Sequence, residues 1–268
     1  MVDFQCKNRY SWEDFLEIIR LLRAPGGCPW DAEQTHHSIR RDFLEETYET
    51  LDAIDREDVP AMCEELGDML MQVVFHAQIE TELGRFTMAD VVDGIAQKMV
   101  FRHPHVFGGT MQADTSEQVL VNWEVLKRKE KGMSSTADAI EAVPHTLPAL
   151  WRAEKVQKKT AKAGFDWDEP LQALEKLEEE IRELRVALEA KQAPDVPHGV
   201  REELGDTLFI ATKIAQMSGI DPEDALHRAC DKFDARFRKV EEAAGTSLKE
   251  LSKEELLALW ERAKKSES

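Results

Sequence analysis

Glu46 and Glu49 stand three residues apart in the sequence, as do Glu65 and Asp68. On a helix each pair shares one face, with about 5–6 Å between Cβ atoms. Four acids facing one another at the edge of apolar helix faces do not stay ionised unless something neutralises them. Hard divalent cations with oxygen ligands are the natural partner, and Mg²⁺ in particular is held by a few carboxylates together with substrate phosphates. The arrangement returns as Glu180, Glu183, Glu203 and Asp206. An E-E-x-x-E run alone is usually a solvated helix face. Joined to E-x-x-D on an apolar helix, twice and in the same order, it points to a metal site. Downstream, Lys98 and Arg102 lie one helical turn apart, as do Lys232 and Arg236, so each pair can offer two cations to one anion. Carboxylate-held metal beside such a pair suits a polyphosphate. Trp123 and Trp260 could stack on a base, whereas Trp30 and Trp167 read as structural.

The elements that carry these residues are helical. Over 39–55, Ile39, Phe43, Thr47, Leu51 and Ile54 fall on one arc, and Glu46 borders it. The stretch 62–79 is apolar round most of its circumference apart from a stripe of Glu65, Asp68, Gln72 and His76. Further helices are expected near 11–22, 88–102, 116–130, 148–162, 171–190, 201–217, 222–243 and 249–265. Glu180 borders the arc of Leu177, Ile181, Leu184 and Leu188. The chain is also a repeat: Gly27-x-x-Trp30-Asp31 returns as Gly164-x-x-Trp167-Asp168. Glu64-Glu-Leu-Gly-Asp68 returns as Glu202-Glu-Leu-Gly-Asp206, and Trp123-x-x-x-Lys127 as Trp260-x-x-x-Lys264. Landmarks in the same order at offsets of 134 to 138 mean a tandem duplication. The expected fold is all-α, with two bundle modules, 1–131 and 148–268, each carrying a four-helix-bundle-like metal site. The glycine-, serine- and proline-bearing stretch 132–147 reads as a linker.

Composition narrows the partners. Of 268 residues 33% are charged and the formal net charge is −18, which repels phosphate backbones and anionic membranes over long range. Nucleic acid and membrane are therefore not expected partners. Cys6, Cys28, Cys63 and Cys230 form no metal-ligand spacing and read as free thiols of a cytoplasmic protein.

The motifs resemble those of the MazG family of all-α nucleoside triphosphate pyrophosphohydrolases. The resemblance is carried by Cys28-Pro-Trp-Asp-x-x-Gln34-Thr35, Leu44-Glu-Glu-Thr-Tyr-Glu49, Glu64-Glu-Leu-Gly-Asp68, Phe101-Arg-His-Pro-His-Val-Phe-Gly108, Ala163-Gly-Phe-Asp-Trp167 and Glu202-Glu-Leu-Gly-Asp206. It implies magnesium-dependent hydrolysis of nucleoside triphosphates to monophosphate and pyrophosphate, broad base tolerance and a homodimer, with manganese as a substitute metal. By position it assigns metal binding to Glu46, Glu49, Glu65 and Asp68, and to Glu180, Glu183, Glu203 and Asp206. Lys176, Lys232, Arg236 and Trp260 match its nucleotide-contacting positions, and Asp231 departs from an asparagine common there. Water would attack the α-phosphorus, with Glu179 or Glu183 taking its proton; spacing does not choose between them. The rival of another class is a non-catalytic helical protein that binds nucleotide or a partner. Lys176 lies four residues before Glu180, whereas the matching residue of the first unit is Asp42, so the C-terminal unit is expected to do most of the turnover.

Overall fold

The computed structural model describes residues 2–108, 115–130, 132, 135–190, 199–245 and 247–266. No strand occurs among them. They divide into two compact units, Met1–Lys127 and Arg128–Ser268.

The first unit is built from α1 (Trp12–Arg23), α2 (Pro29–Glu33), α3 (Arg40–Asp55), α4 (Val59–Glu82), α5 (Met88–Arg102), α6 (Pro104–Phe107) and α7 (Ser116–Glu130), the last crossing the division. Helix starts are written locally. Ser11 with Asp14 and Thr87 with Asp90 form reciprocal capping boxes for α1 and α5. Asp58 caps α4 through the backbone N–H of Ala61, with Pro60 in the first turn where its missing N–H costs nothing. The turn between α3 and α4 is only Arg56–Asp58, with Glu57 at φ 54°. So short a turn forces α3 and α4 antiparallel. Glu49 and Glu65 each stand eight residues from Glu57, and Glu46 and Asp68 each eleven, so the turn brings the acids level.

The apolar core lies at the other end of α4: Ile19, Ile39, Val74, Phe75 and Ile79 are buried together, flanked by Phe15, Leu16, Leu22, Met71 and Met88. Beside it, the nearly buried Arg23 closes the loop after α1. Its Nη1 donates to the carbonyls of Asp31 (2.6 Å) and Gln34 (3.1 Å), and Nε and Nη2 donate to Glu82, both at 2.9 Å. Replacing Arg23 with alanine leaves the part-buried Gln34 carbonyl without its donor, strips one of two donors from that of Asp31 and removes the fork to Glu82, so we expect a loss of about 3 kcal/mol. Arg23→Lys should restore only part, because an ammonium lacks the planar fork. Urea denaturation of the two variants measures both effects.

The second unit contains α8 (Thr136–Glu141), α9 (Ala149–Ala161), α10 (Pro170–Glu189), α11 (Val200–Met217), α12 (Pro222–Ala244), a 3-10 turn (Leu248–Glu250) and α13 (Lys253–Lys265). The stretch read as linker thus holds a helix of its own. Ser135 and Asp138 cap α8, and Ala139 and Val143 are buried where it meets α9. The main packing is α10 against α11 and α12 against α13, the latter around Val240, Leu259 and Ala263. Gly245 ends α12 in the left-handed region (φ 63°), which a residue without Cβ adopts at no cost.

Candidate metal centres

In the first unit the α3–α4 hairpin brings one carboxylate oxygen each of Glu46, Glu49 and Glu65 within 4.8 Å of one another. Asp68 is outside that triplet, but its charge acts on both Glu46 and Glu65. Burial, then the charges of Asp68, Glu49 and Glu65, holds the Glu46 carboxyl above its ordinary range. Glu65 is raised for the same reasons, burial first and then Glu49, Asp68 and Glu64, with Arg56 working weakly the other way. No lysine or arginine forms an ion pair with any of the four among the described residues. Hard oxygens that converge and repel one another fit a divalent cation: bringing +2 among them removes the repulsion that lifts their pKa values.

The second unit repeats the scheme with one change. Oxygens of Glu180, Glu203 and Asp206 lie within 4.8 Å of one another, and Glu180 and Glu203 are only 6% and 5% exposed. Glu183, expected with them, is exposed and outside the triplet. In its place the cluster has a cation. Lys176 Nζ lies 2.8 Å from Glu180 Oε1 and 2.9 Å from Glu179 Oε1. Hydrogen bonds to Glu180 and Glu179 push the Lys176 ammonium well above the usual lysine range. Lys176 likewise holds Glu179 below the usual carboxylate range, which makes Glu179 a weaker proton acceptor while the pair is closed.

The remaining expected residues divide by unit. Lys98 is half-buried on α5, and Arg102, 8% exposed, lies with its guanidinium 5.3 Å from the centre of the Trp123 ring. His103 meets the same ring edge-on at 5.0 Å, so Trp123 belongs to a cation–aromatic packing unit. On α12, which packs against α11, Lys232 is exposed and Arg236 half-exposed. Trp260 is half-buried, tilted against Phe233 at 5.0 Å, and packs on the Val240, Leu259 and Ala263 cluster. Phe233 and Phe237, unremarked in the sequence, are stacked at 5.9 Å and remain exposed. Trp30, read as structural, is 61% exposed because its short helix buries nothing.

A family model described as the MazG nucleotide pyrophosphohydrolase domain matches this chain twice, over residues 34–107 and 168–241. The chain belongs to the MazG family. The two matched stretches hold the two carboxylate clusters. The chain is 42% identical over 256 residues to the nucleoside triphosphate pyrophosphohydrolase/pyrophosphatase MazG of Thermotoga maritima, which covers 94% of this chain and 95% of that one. It is 43% identical to the nucleoside triphosphate pyrophosphohydrolase of Escherichia coli K12, covering 94% and 96%. A Bacillus subtilis protein called YabN is 46% identical over 261 residues, but this chain spans only 52% of it. MazG membership decides for an enzyme over a non-catalytic binding protein. Among the described residues no helix is long and apolar enough to cross a membrane.

Two polar networks of these MazG units went unread in the sequence. On α4, Glu80 accepts from His36 Nε2 (2.5 Å) and from Arg85 Nη2 (2.6 Å), while His36 and His76 meet through their Nδ1 atoms at 2.7 Å. With ring centroids 5.0 Å apart and planes within 10°, the imidazoles lie edge to edge. An ionised carboxylate only accepts, so His36 carries its hydrogen on Nε2 and, when neutral, accepts from His76. Burial, then His36, lowers the His76 pKa. Burial pushes Glu80 up, but the hydrogen bonds from His36 and Arg85 outweigh it. In the second unit, buried Lys213 pairs with Asp166 at 2.5 Å, tying the loop before α10 to α11. Only His76, on the polar stripe of α4, carried any sequence signal.

Proposed function

We propose that the chain hydrolyses nucleoside triphosphates to nucleoside monophosphate and pyrophosphate, using magnesium, with little selection for the base. The observation that carries the reading is the convergence of three carboxylates at the same place in each duplicated helix pair. Glu180, Glu203 and Asp206 would hold the ion in the second unit, and Glu46, Glu49 and Glu65, with Asp68 beside them, in the first. Bound magnesium would supply charge neutralisation on the phosphoryl oxygens and the leaving group. Lys176, 2.8 Å from Glu180, would meet a phosphate bound there, with Lys232 and Arg236 on the neighbouring α12 as further cationic contacts. Water attacks the α-phosphorus; the bond to the bridging oxygen of the β-phosphate breaks, and pyrophosphate leaves with that oxygen. Glu179 or Glu183 takes the proton from water.

Loose base recognition follows from what the second unit presents, exposed aromatic rings at Phe233 and Phe237 beside Trp260. A ring face stacks on every base alike. Incubating a panel of nucleotides with magnesium and separating the products tests the reading. Monophosphate and pyrophosphate are expected from all common triphosphates, within about a hundredfold of one another in kcat/KM (roughly 2.7 kcal/mol). Diphosphate and orthophosphate as primary products would refute it.

A homodimer is part of the same proposal. The chain exposes 19332 Å². Even two separate globules of half its 30.6 kDa mass would expose together only about 14,300 Å². Large apolar side chains lie exposed on the helix faces: Leu44, Tyr48 and Leu51 on α3, Leu66 and Leu70 on α4, Leu174, Ile181 and Leu188 on α10, Leu204 and Leu208 on α11. Gly67 and Gly205 sit mid-helix between the paired acids, where nothing in the chain lies within 4 Å of an added Cβ. A second copy packing there gives both features a reason. Light scattering at micromolar concentration should give about twice the mass of one chain.

A further inference from the structure

We propose that Lys176 is a resident counter-cation of the second unit, held on the metal-binding carboxylates until a divalent cation arrives and then passed to the triphosphate. The inference rests on the metal-dependent reading above and concerns the order of binding at that same site. It predicts that, without nucleotide, the second unit takes up metal more weakly than the first.

The geometry is direct. Lys176 Nζ is 2.8 Å from Glu180 Oε1, and Glu180 is the acid of α10 whose oxygen converges with those of Glu203 and Asp206 from α11. The Glu180 side chain is 8% exposed and that of Lys176 35%, so the ammonium reaches inward from the rim of the cluster. A divalent ion bound to the same carboxylates would sit within a few ångströms of this ammonium, and like charges at that range repel strongly where water is scarce. One of them must yield. Lysine can, because its charge rides on a flexible four-carbon stem with rotatable donors. Its other partner, the half-exposed Glu179, offers one negative charge. A triphosphate arriving with the metal offers several, at the place Lys176 must vacate toward. Metal and nucleotide therefore assist each other in the second unit.

The first unit lacks the device. The residue four before Glu46 is Asp42 and not a lysine, and no ion pair reaches Glu46, Glu49, Glu65 or Asp68 among the described residues. A divalent cation meets no competitor there, and Asp42 adds to the attraction. The same helix-pair scheme thus yields a site that fills with metal alone and a site that fills with metal and substrate together. Idle metal would leave the second unit closed.

The test is a Mn²⁺ titration of the chelator-stripped full-length chain without nucleotide, following free Mn²⁺ by electron paramagnetic resonance. Two classes of site are expected. Glu46→Gln should remove the tighter and Glu203→Gln the weaker. Lys176→Met and Lys176→Gln should each tighten the weaker class about tenfold, while Lys176→Arg leaves it at the wild-type value and Asp42→Lys weakens the tighter class by a similar factor. A non-hydrolysable α,β-methylene triphosphate should tighten the weaker class in wild type and do so less in Lys176→Met. If neither neutral variant changes the weaker class, or if Glu203→Gln removes the tighter one, the role given to Lys176 is wrong while the metal sites stand. If wild type binds no Mn²⁺ in either class, the metal-dependent reading falls and this inference with it.

Discussion

Glu203→Gln is expected to lower kcat for triphosphate hydrolysis at least a thousandfold, while Glu46→Gln leaves it within about threefold of wild type. The first figure corresponds to about 4 kcal/mol of lost transition-state stabilisation, the scale of removing a metal's charge from a phosphoryl oxygen. Glu203 is 5% exposed and converges with Glu180 and Asp206, so a neutral amide there loses both the ligand and the negative charge that holds the cation. Glutamine keeps the shape, which separates lost chemistry from lost packing. The second figure follows from the asymmetry of the units. Among the described residues the second unit alone places a lysine beside its carboxylate cluster, at Lys176, while Arg102 of the first unit lies over the Trp123 ring. Steady-state kinetics on both variants, with circular dichroism to verify the helices, reads the result. Loss of activity in Glu46→Gln with retention in Glu203→Gln would reverse the assignment of turnover to the second unit.

Magnesium should stabilise the chain at neutral pH far more than at pH 4. Glu46 and Glu65 have their pKa values raised in the folded state by burial and by their acidic neighbours. The sign follows from linkage. Below the unfolded carboxylate pKa both states hold the proton and the cluster costs nothing. As pH rises past it, the unfolded chain ionises first, and stability falls until the folded carboxylates have ionised too. Metal removes that penalty only where the acids are charged. At a hundred times its dissociation constant a ligand specific to the folded state contributes about 2.7 kcal/mol. For a unit of this size that is a rise in Tm of roughly 10 °C or more. Thermal melts with magnesium or with a chelator, from pH 4 to pH 8, test this. The gap between the two curves should open above about pH 5, and an equal gap at pH 4 would mean that the carboxylates are not the binding groups.

The long helices were legible because each repeats its apolar face over several turns; the expected 39–55, 88–102 and 116–130 match α3, α5 and α7 within a residue. The duplication was legible for the same reason, as landmarks recur whole. The short helices were not. α2 and α6 are a turn or so long and begin on Pro29 and Pro104, and α8 lies in what read as a linker. Fewer than two turns carry no readable period, and only a capping box marked α8.

The sequence by itself determined which acids share a helix face, since three-residue spacing on a helix fixes that locally. The structure added that only Arg56–Asp58 separate α3 from α4, where the expected helices left six residues between them, and so short a turn makes the pair antiparallel. Tertiary packing alone decided which acids converge: Glu65 joins Glu46 and Glu49 while Asp68 stands just outside, and Asp206 joins Glu180 and Glu203 while Glu183 faces solvent. Helix rotation about its own axis sets that choice, and rotation is fixed by the partner helix and not by spacing. The same holds for contacts between residues distant in sequence, such as His36 with His76 and Arg23 with Glu82. Such pairs leave no periodic trace, because the chain between them can close the gap in many ways and only the packed core selects one.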